Sequence, residues 1–166
     1  MPDLDRKPID FTDVVKSTVL LQETGQPTVN FKLNLPKERI WIDADQAMLG
    51  RAITNLLKNA GESIVDVDNN LSGYEGEIRI LMFASLRTIT LEISDNGKGL
   101  PHDRSRLLEP YVTNRSSGTG LGLSIVAKTI EEHGGTFSLE DAEPFRSGGP
   151  YGAKAIIVLP KLNSSN

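Results

Sequence analysis

Apolar and polar positions change period several times along the chain, and each change predicts an element. From Phe11 to Gln22 the apolar residues Phe11, Val14, Val15, Val19 and Leu21 recur at helical spacing, with Asp10 or Thr12 as the cap and Gly25 and Pro27 as the stop. Val29 to Leu35 alternates at period two, the pattern of a half-buried strand, and Pro36 ends it. Ile40-Trp41-Ile42 reads as a second short strand. The longest helical pattern runs from Asp45 to about Asp66. Leu49, Ile53, Leu56, Leu57, Ala60 and Ile64 form one continuous stripe, with Asp43 or Asp45 as cap. A turn-rich stretch follows from Val67 to Gly76, and then Glu77–Ser85 and Thr88–Asp95 alternate strongly enough to predict an antiparallel hairpin.

Beyond the hairpin the periodicity stops. Residues 96–122 hold Gly97, Gly99, Gly118, Gly120 and Gly122 around a long polar stretch. Leu121 to His133 is again helical and is closed by Gly134-Gly135. Thr136–Leu139 and Ala153–Leu159 are the last strands, joined by a Gly/Pro-rich loop at 144–152. This order, with hairpin-length links rather than repeated crossovers, predicts an α+β fold. The expected form is a two-layer sandwich in which helices pack on one face of a mixed, mainly antiparallel sheet. Residues 1–8, polar and bracketed by Pro2 and Pro8, read as a linker, residues 9–160 as one domain and residues 161–166 as a frayed tail.

Composition narrows the function classes. The 166 residues suit a single core, and 38% apolar content with 15 Gly is that of a globular chain. With no Cys, disulfide scaffolds, thiolate zinc sites and Cys nucleophiles are excluded, and 2 His leave little for a His-based metal cage. No apolar run is long enough to span a membrane, and the first residues lack the apolar core of a secretory signal. The net charge of −4, without a basic patch, argues against a nucleic-acid partner.

Three constellations carry candidate chemistry. Asn55-Leu-Leu-Lys58-Asn59 puts both carboxamides on one helix face, which Glu62 and Ser63 continue. A carboxamide oxygen is a hard neutral ligand suited to Mg²⁺ that keeps water and phosphate oxygens, although two Asn alone also read as a solvated face. Asp95-Asn-Gly97-Lys-Gly99 follows an apolar strand. Its Asp can accept from an exocyclic amine and its glycines let a ring approach the backbone, yet Asn-Gly alone also reads as a plain turn. Gly118-Thr119-Gly120-Leu121-Gly122 leads into a helix, where clustered N–H groups meet the positive dipole end. That is a phosphate site, or otherwise a hinge. The spacing and the preceding loop exclude a dinucleotide fingerprint, and no Gly-Lys-[Ser/Thr] makes a P-loop.

In order, Asn55-Leu-Leu-Lys-Asn59-Ala, Asp95-Asn-Gly-Lys-Gly99, Glu109-Pro-Tyr-Val-Thr113 and Gly118-Thr-Gly-Leu-Gly-Leu resemble the N box, first glycine box, F box and second glycine box of sensor histidine kinases. They are most similar to nitrogen-regulation sensors of the NtrY/NtrB type. The resemblance implies the Bergerat ATP-binding fold, with ATP and Mg²⁺ as cofactors. It implies that Asn59 coordinates Mg²⁺ with Asn55 beside it, that Asp95 binds the adenine amino group, and that Gly97 and Gly99 shape the adenine pocket. Residues 100–117 become a lid hinged by Gly118, Gly120 and Gly122, whose amides, with those of Thr119 and Leu121, face the phosphates. Thr113 and Arg115 come near the nucleotide. Two positions depart from the pattern: Glu62 stands where many members carry a basic phosphate contact, which leaves Lys58, Arg115 or Mg²⁺ to meet that charge, and Tyr111-Val112 replaces an aromatic pair.

The resemblance further implies a kinase. Gyrase-type ATPases of this fold use Glu as general base at the position of Asn55, and an Asn cannot take a proton. Neither histidine reads as a phosphoacceptor: His102 falls in the lid, and His133 closes a helix where the dipole favours it. The expected partners are therefore a separate histidine-containing dimerisation domain and, through the full kinase, a response regulator. The domain itself is expected to be a cytoplasmic monomer without membrane contact, in a protein anchored in the inner membrane or not. The competing reading is a regulatory nucleotide-binding module, either an anti-sigma-type serine kinase or a silent binder.

Overall fold

The computed structural model describes residues 4–67, 73–101 and 122–162. The elements run β1 (Lys7–Asp10), α1 (Phe11–Gly25), β2 (Asn30–Asn34), β3 (Trp41–Ala44), α2 (Gln46–Val65), β4 (Glu77–Ala84), β5 (Thr88–Asp95), α3 (Gly122–Glu132), β6 (Thr136–Ala142) and β7 (Gly152–Pro160). Strands β2-β4-β5-β7-β6 form one sheet in that order, and β1 and β3 form a separate ribbon. The β2–β4 pair is parallel and the other pairs of the large sheet are antiparallel, so the sheet is mixed, as the element order predicts.

All three helices pack on one face, with α2 between α1 and α3. The sheet residues that meet them alternate along their strands: Ile78, Ile80 and Met82 of β4, Ile89, Leu91 and Ile93 of β5, and Ala155, Ile157 and Leu159 of β7 are all buried. The predicted stripe of α2 is buried in full. At about 25 cal/mol per Å² of apolar surface, such a stripe outweighs the marginal propensity of an isolated helix of this length.

Caps fix where the helices begin. The Asp10 side chain accepts from Thr12 N and also from Ile40 N, both at 3.1 Å, so one carboxylate starts α1 and holds the approach to β3. Asp45 rather than Asp43 caps α2, accepting from Met48 N at 3.1 Å.

The ends of the chain differ from expectation. Lys7 and Pro8, expected in a linker, lie in β1 and pair with Ala44 and Asp43. Burial of Ile9 and Phe11 draws this segment onto the core, and a two-stranded ribbon tolerates a proline that a central strand would not. Asp5 and Arg6 are also tied down, to Asp45 and to the carbonyl of Glu132. At the other end, Lys161 N donates to Arg87 O and Leu162 N to Trp41 O, both at 2.8 Å.

Candidate functional site

The site is built where the end of β5 meets the last turns of α2. Asp95 is the final residue of β5 and is buried. Its Oδ1 accepts from Gly97 N at 2.8 Å and from Ala153 N at 3.4 Å, which fixes the carboxylate against its own turn and the start of β7. The turn is pressed against α2. Lys98 N lies 3.1 Å from Ser63 O and 3.0 Å from Ser63 Oγ, a donor shared between two acceptors of one residue. A Cβ on Gly97 would stand 2.3 Å from Ser63 Oγ, so no side chain fits there. Gly99 has φ +83°, and a Cβ on it would stand 2.5 Å from Tyr151 O. The two glycines of this turn thus serve close backbone approach, one to α2 and one to Tyr151 just before β7.

Further contacts hold the turn from its other side. Asn96 is buried; its Oδ1 accepts from Glu77 N and its Nδ2 donates to Glu75 O, both at 2.8 Å. Tyr74 Oη donates to Asn96 O at 3.0 Å. Burial, and after it the Asp95 charge, push the Tyr74 hydroxyl up to about 12. Lys98 Nζ pairs with Asp66 Oδ2 at 3.0 Å, but both side chains are partly exposed and such a pair contributes under about 1 kcal/mol. A cleft of about 300 Å³ lies behind the turn, lined by Tyr74, Asn96 and the 145–150 loop, and includes neither Asp95 nor Asn59.

The predicted residues of α2 share the expected face. Asn55 and Asn59 are half-buried and Lys58 is exposed. Asn59 reaches the start of α3: a Cβ on Gly122 would lie 3.8 Å from its Nδ2. The structure therefore brings together three predicted groups: Asn55 and Asn59 on α2, Asp95 with Gly97 and Gly99 beyond β5, and Gly122 at the head of α3. Thr113, Arg115, Gly118, Thr119, Gly120, Leu121 and His102 lie outside the described residues.

Two residues that complete the site carry no motif in the sequence. Ser63 stands one turn beyond Asn59 on the same face, a position that suggests involvement without showing what it binds. Gly152 is disguised by its Gly/Pro-rich loop, although a Cβ on it would stand 1.8 Å from Asp95 O. His133, expected to close α3 where the dipole favours it, does follow the last residue of that helix, and it is also buried and bonded on both ring nitrogens.

The donor set suits a nucleotide with a metal. A buried carboxylate fixed at the end of a strand can read an amine, and carboxamides on α2 that face the head of α3 can complement phosphate oxygens and a hard cation. Among the described residues no cluster of three or more His, Cys, Asp or Glu could hold a metal ion.

The sequence profile of the family described as "Histidine kinase-, DNA gyrase B-, and HSP90-like ATPase" matches residues 44–163. The chain belongs to this family. Family membership implies ATP binding. The chain is 43% identical over 134 residues to the nitrogen regulation protein NtrY of Azorhizobium caulinodans, a match that covers 80% of this chain and 17% of that protein. The chain thus spans about a sixth of the length of that relative. Among solved structures it is similar to the mycobacterial sensor histidine kinase MprB, with TM-score 0.79, 26% identity and 95% and 99% of the two chains covered. It is similar also to the ATP binding domain of PrrB from Mycobacterium tuberculosis, with TM-score 0.73, 26% identity and 96% and 99% covered. The α+β sandwich is the fold of histidine kinase catalytic domains, and the chain is an ATP-binding catalytic domain of that kind. Among the described residues no helix is long and apolar enough to cross a membrane.

Proposed function

We propose that this domain holds Mg-ATP and presents its γ-phosphate to a histidine on a separate dimerisation domain, in a sensor kinase of the NtrY nitrogen-regulation type that then passes the phosphoryl group to a response regulator. The observation that carries the reading is the clamp of the Asp95–Gly99 turn onto Ser63, which sets a fixed carboxylate beside the helix face bearing Asn55 and Asn59.

In this reading Asp95 accepts the adenine amino hydrogen, and Gly97 and Gly99 keep side chains out of the base's way. Asn59 holds the metal, with Asn55 beside it. Mg²⁺, when bound, neutralises the phosphate charge. Lys58 adds cationic character and Gly122 opens the helix at the phosphate end; Thr113, Arg115, Gly118, Thr119, Gly120 and Leu121, which the resemblance assigns to the same end, lie outside the described residues. Phosphoryl transfer needs position and charge neutralisation more than covalent help, which is what a set of amides, carboxamides and cations provides. Asn55 cannot act as a base, so water is a poor acceptor and the phosphoryl group is kept for the histidine.

The test is transfer in trans. The domain is mixed with a separately produced histidine-bearing dimerisation domain and labelled ATP. The expected product is acid-labile phosphohistidine on the partner, lost with Asn59→Ala; phosphoserine, or no transfer at saturating ATP, contradicts the kinase reading.

A further inference from the structure

His133 follows α3 and is 4% exposed, yet it is not an idle core histidine. Its Nδ1 lies 2.7 Å from Thr129 O, and its Nε2 accepts from Asp45 N at 3.0 Å. One protonation state satisfies both contacts: a neutral ring with the proton on Nδ1. Asp45 is the cap of α2, with Oδ1 on Met48 N, its carbonyl on Leu49 N and Oδ2 on Asp5 N. The imidazole therefore joins the C-terminal end of α3 to the first turn of α2.

The opposite ends of the same two helices meet at the candidate site, where Gly122 opens α3 beside Asn59. The helices run antiparallel, and each spans about 15–30 Å at 1.5 Å per residue. Packed helices can slide past one another by small steps, and a hydrogen bond, being directional, adds a restraint on axial position to that of the packing. Arg6 adds a second tie across this junction through Glu132 O, so Asp5 and Arg6, just before β1, bond the α2 cap and the end of α3 at one place.

We propose that His133 is a positioning residue for the nucleotide: its Nδ1–H imidazole, by holding Asp45 N, sets the axial register of α3 on α2 and so places Gly122 against Asn59. The proposal rests on the reading of Asn59 and Gly122 as nucleotide groups, and its test separates the two.

His133→Asn keeps a donor for Thr129 O but is too short to reach Asp45 N, whereas His133→Gln keeps an acceptor at the reach of Nε2. Three quantities are measured for each: the unfolding midpoint, the NMR signals of the Asn59 side-chain amide and the Gly122 backbone in the nucleotide-free chain, and Mg-ATP affinity well below that midpoint. In His133→Asn the Asn59 and Gly122 signals are expected to move and affinity to fall about fivefold or more, the range of ordinary site-to-site coupling. His133→Gln is expected to stay within about twofold of the parent, since it retains the contact. If His133→Asn loses stability but its folded form binds as the parent does with unmoved signals, the residue is structural only and the proposal fails. Equal loss in Asn and Gln assigns the effect to ring packing and also overturns it. If the parent does not bind Mg-ATP, the nucleotide reading fails, while the Asn59 and Gly122 signals still decide whether His133 sets the register. ¹⁵N shifts of the histidine ring in the unmutated chain decide independently of folding: a proton on Nδ1 is expected, and one on Nε2 contradicts the proposal.

Discussion

The backbone N–H of Lys98 is shared between the carbonyl and the hydroxyl of Ser63, at 3.1 and 3.0 Å. This contact joins the strand-end turn that carries Asp95 to the helix that carries Asn55 and Asn59. Ser63→Ala removes one of the two acceptors and leaves the other. The expected cost is about 1 kcal/mol of stability, with a several-fold loss of ATP affinity as the turn loosens. Urea unfolding and an ATP titration of the same sample check both numbers.

Gly97→Ala is a harsher test of the same contact. A methyl group would stand 2.3 Å from Ser63 Oγ and 2.6 Å from the Ser63 carbonyl carbon, and the carbonyl carbon cannot move without displacing α2. Overpacking of this kind costs about 1–3 kcal/mol, and ATP binding should fall further than in Ser63→Ala. A fully stable variant with unchanged affinity would show that the turn does not depend on close approach.

The Asp45 carboxyl is held below its ordinary value of 3.8, first by the bond from Met48 N and then by that from Asp5 N. Because the folded value is the lower one, the stabilisation is present above the unfolded value and is lost as pH falls through the folded one. Asn is as good a cap as Asp, so Asp45→Asn should change neutral-pH stability little and flatten the acid limb of the stability profile. Urea midpoints taken from neutral pH down to about pH 2 measure this directly.

Tyr74 gives an independent reading of the neighbourhood of Asp95. Its hydroxyl is raised to about 12, above the ordinary 10, so the neutral form is favoured in the fold. The associated stability is fully present below pH 10 and is lost as pH rises toward 12. In a phenolate absorbance titration, Tyr74→Phe should delete a component that ionises late, and Asp95→Asn should bring that component earlier. No change with Asp95→Asn would mean that burial alone holds the group.

Much of the fold was legible because period and cap agree. The stripe from Leu49 to Ile64 predicts α2, and the alternation through Ile78–Met82 and Ile89–Ile93 predicts the hairpin at the strands observed. The departures have specific causes. Pro8 reads as punctuation, yet two buried neighbours, Ile9 and Phe11, pull it into a ribbon whose partner is more than thirty residues away. His133 reads correctly as the close of a helix, but the sequence does not show the amide of Asp45 that meets its ring from another helix. At the site, residue types that carry chemistry were visible at Asn55, Asn59 and Asp95. The contacts that hold them depend on tertiary approach: the sequence places Ser63 on the Asn55 and Asn59 face but not against Lys98 N, and it gives no sign of Gly152 beside Asp95.

The central claim is that Asp95, fixed by Gly97 N and Ala153 N, is the group that recognises the base of a bound ATP. Calorimetric titration of ATP into the unmodified chain and into Asp95→Ala, with and without Mg²⁺, and with circular dichroism to confirm folding, tests it most directly. The account predicts saturable one-to-one binding to the unmodified chain and a loss of about tenfold or more in the folded variant, as expected when a hydrogen bond to a charged group is removed. Equal affinity in the two folded proteins, or no binding by the unmodified chain, would contradict it.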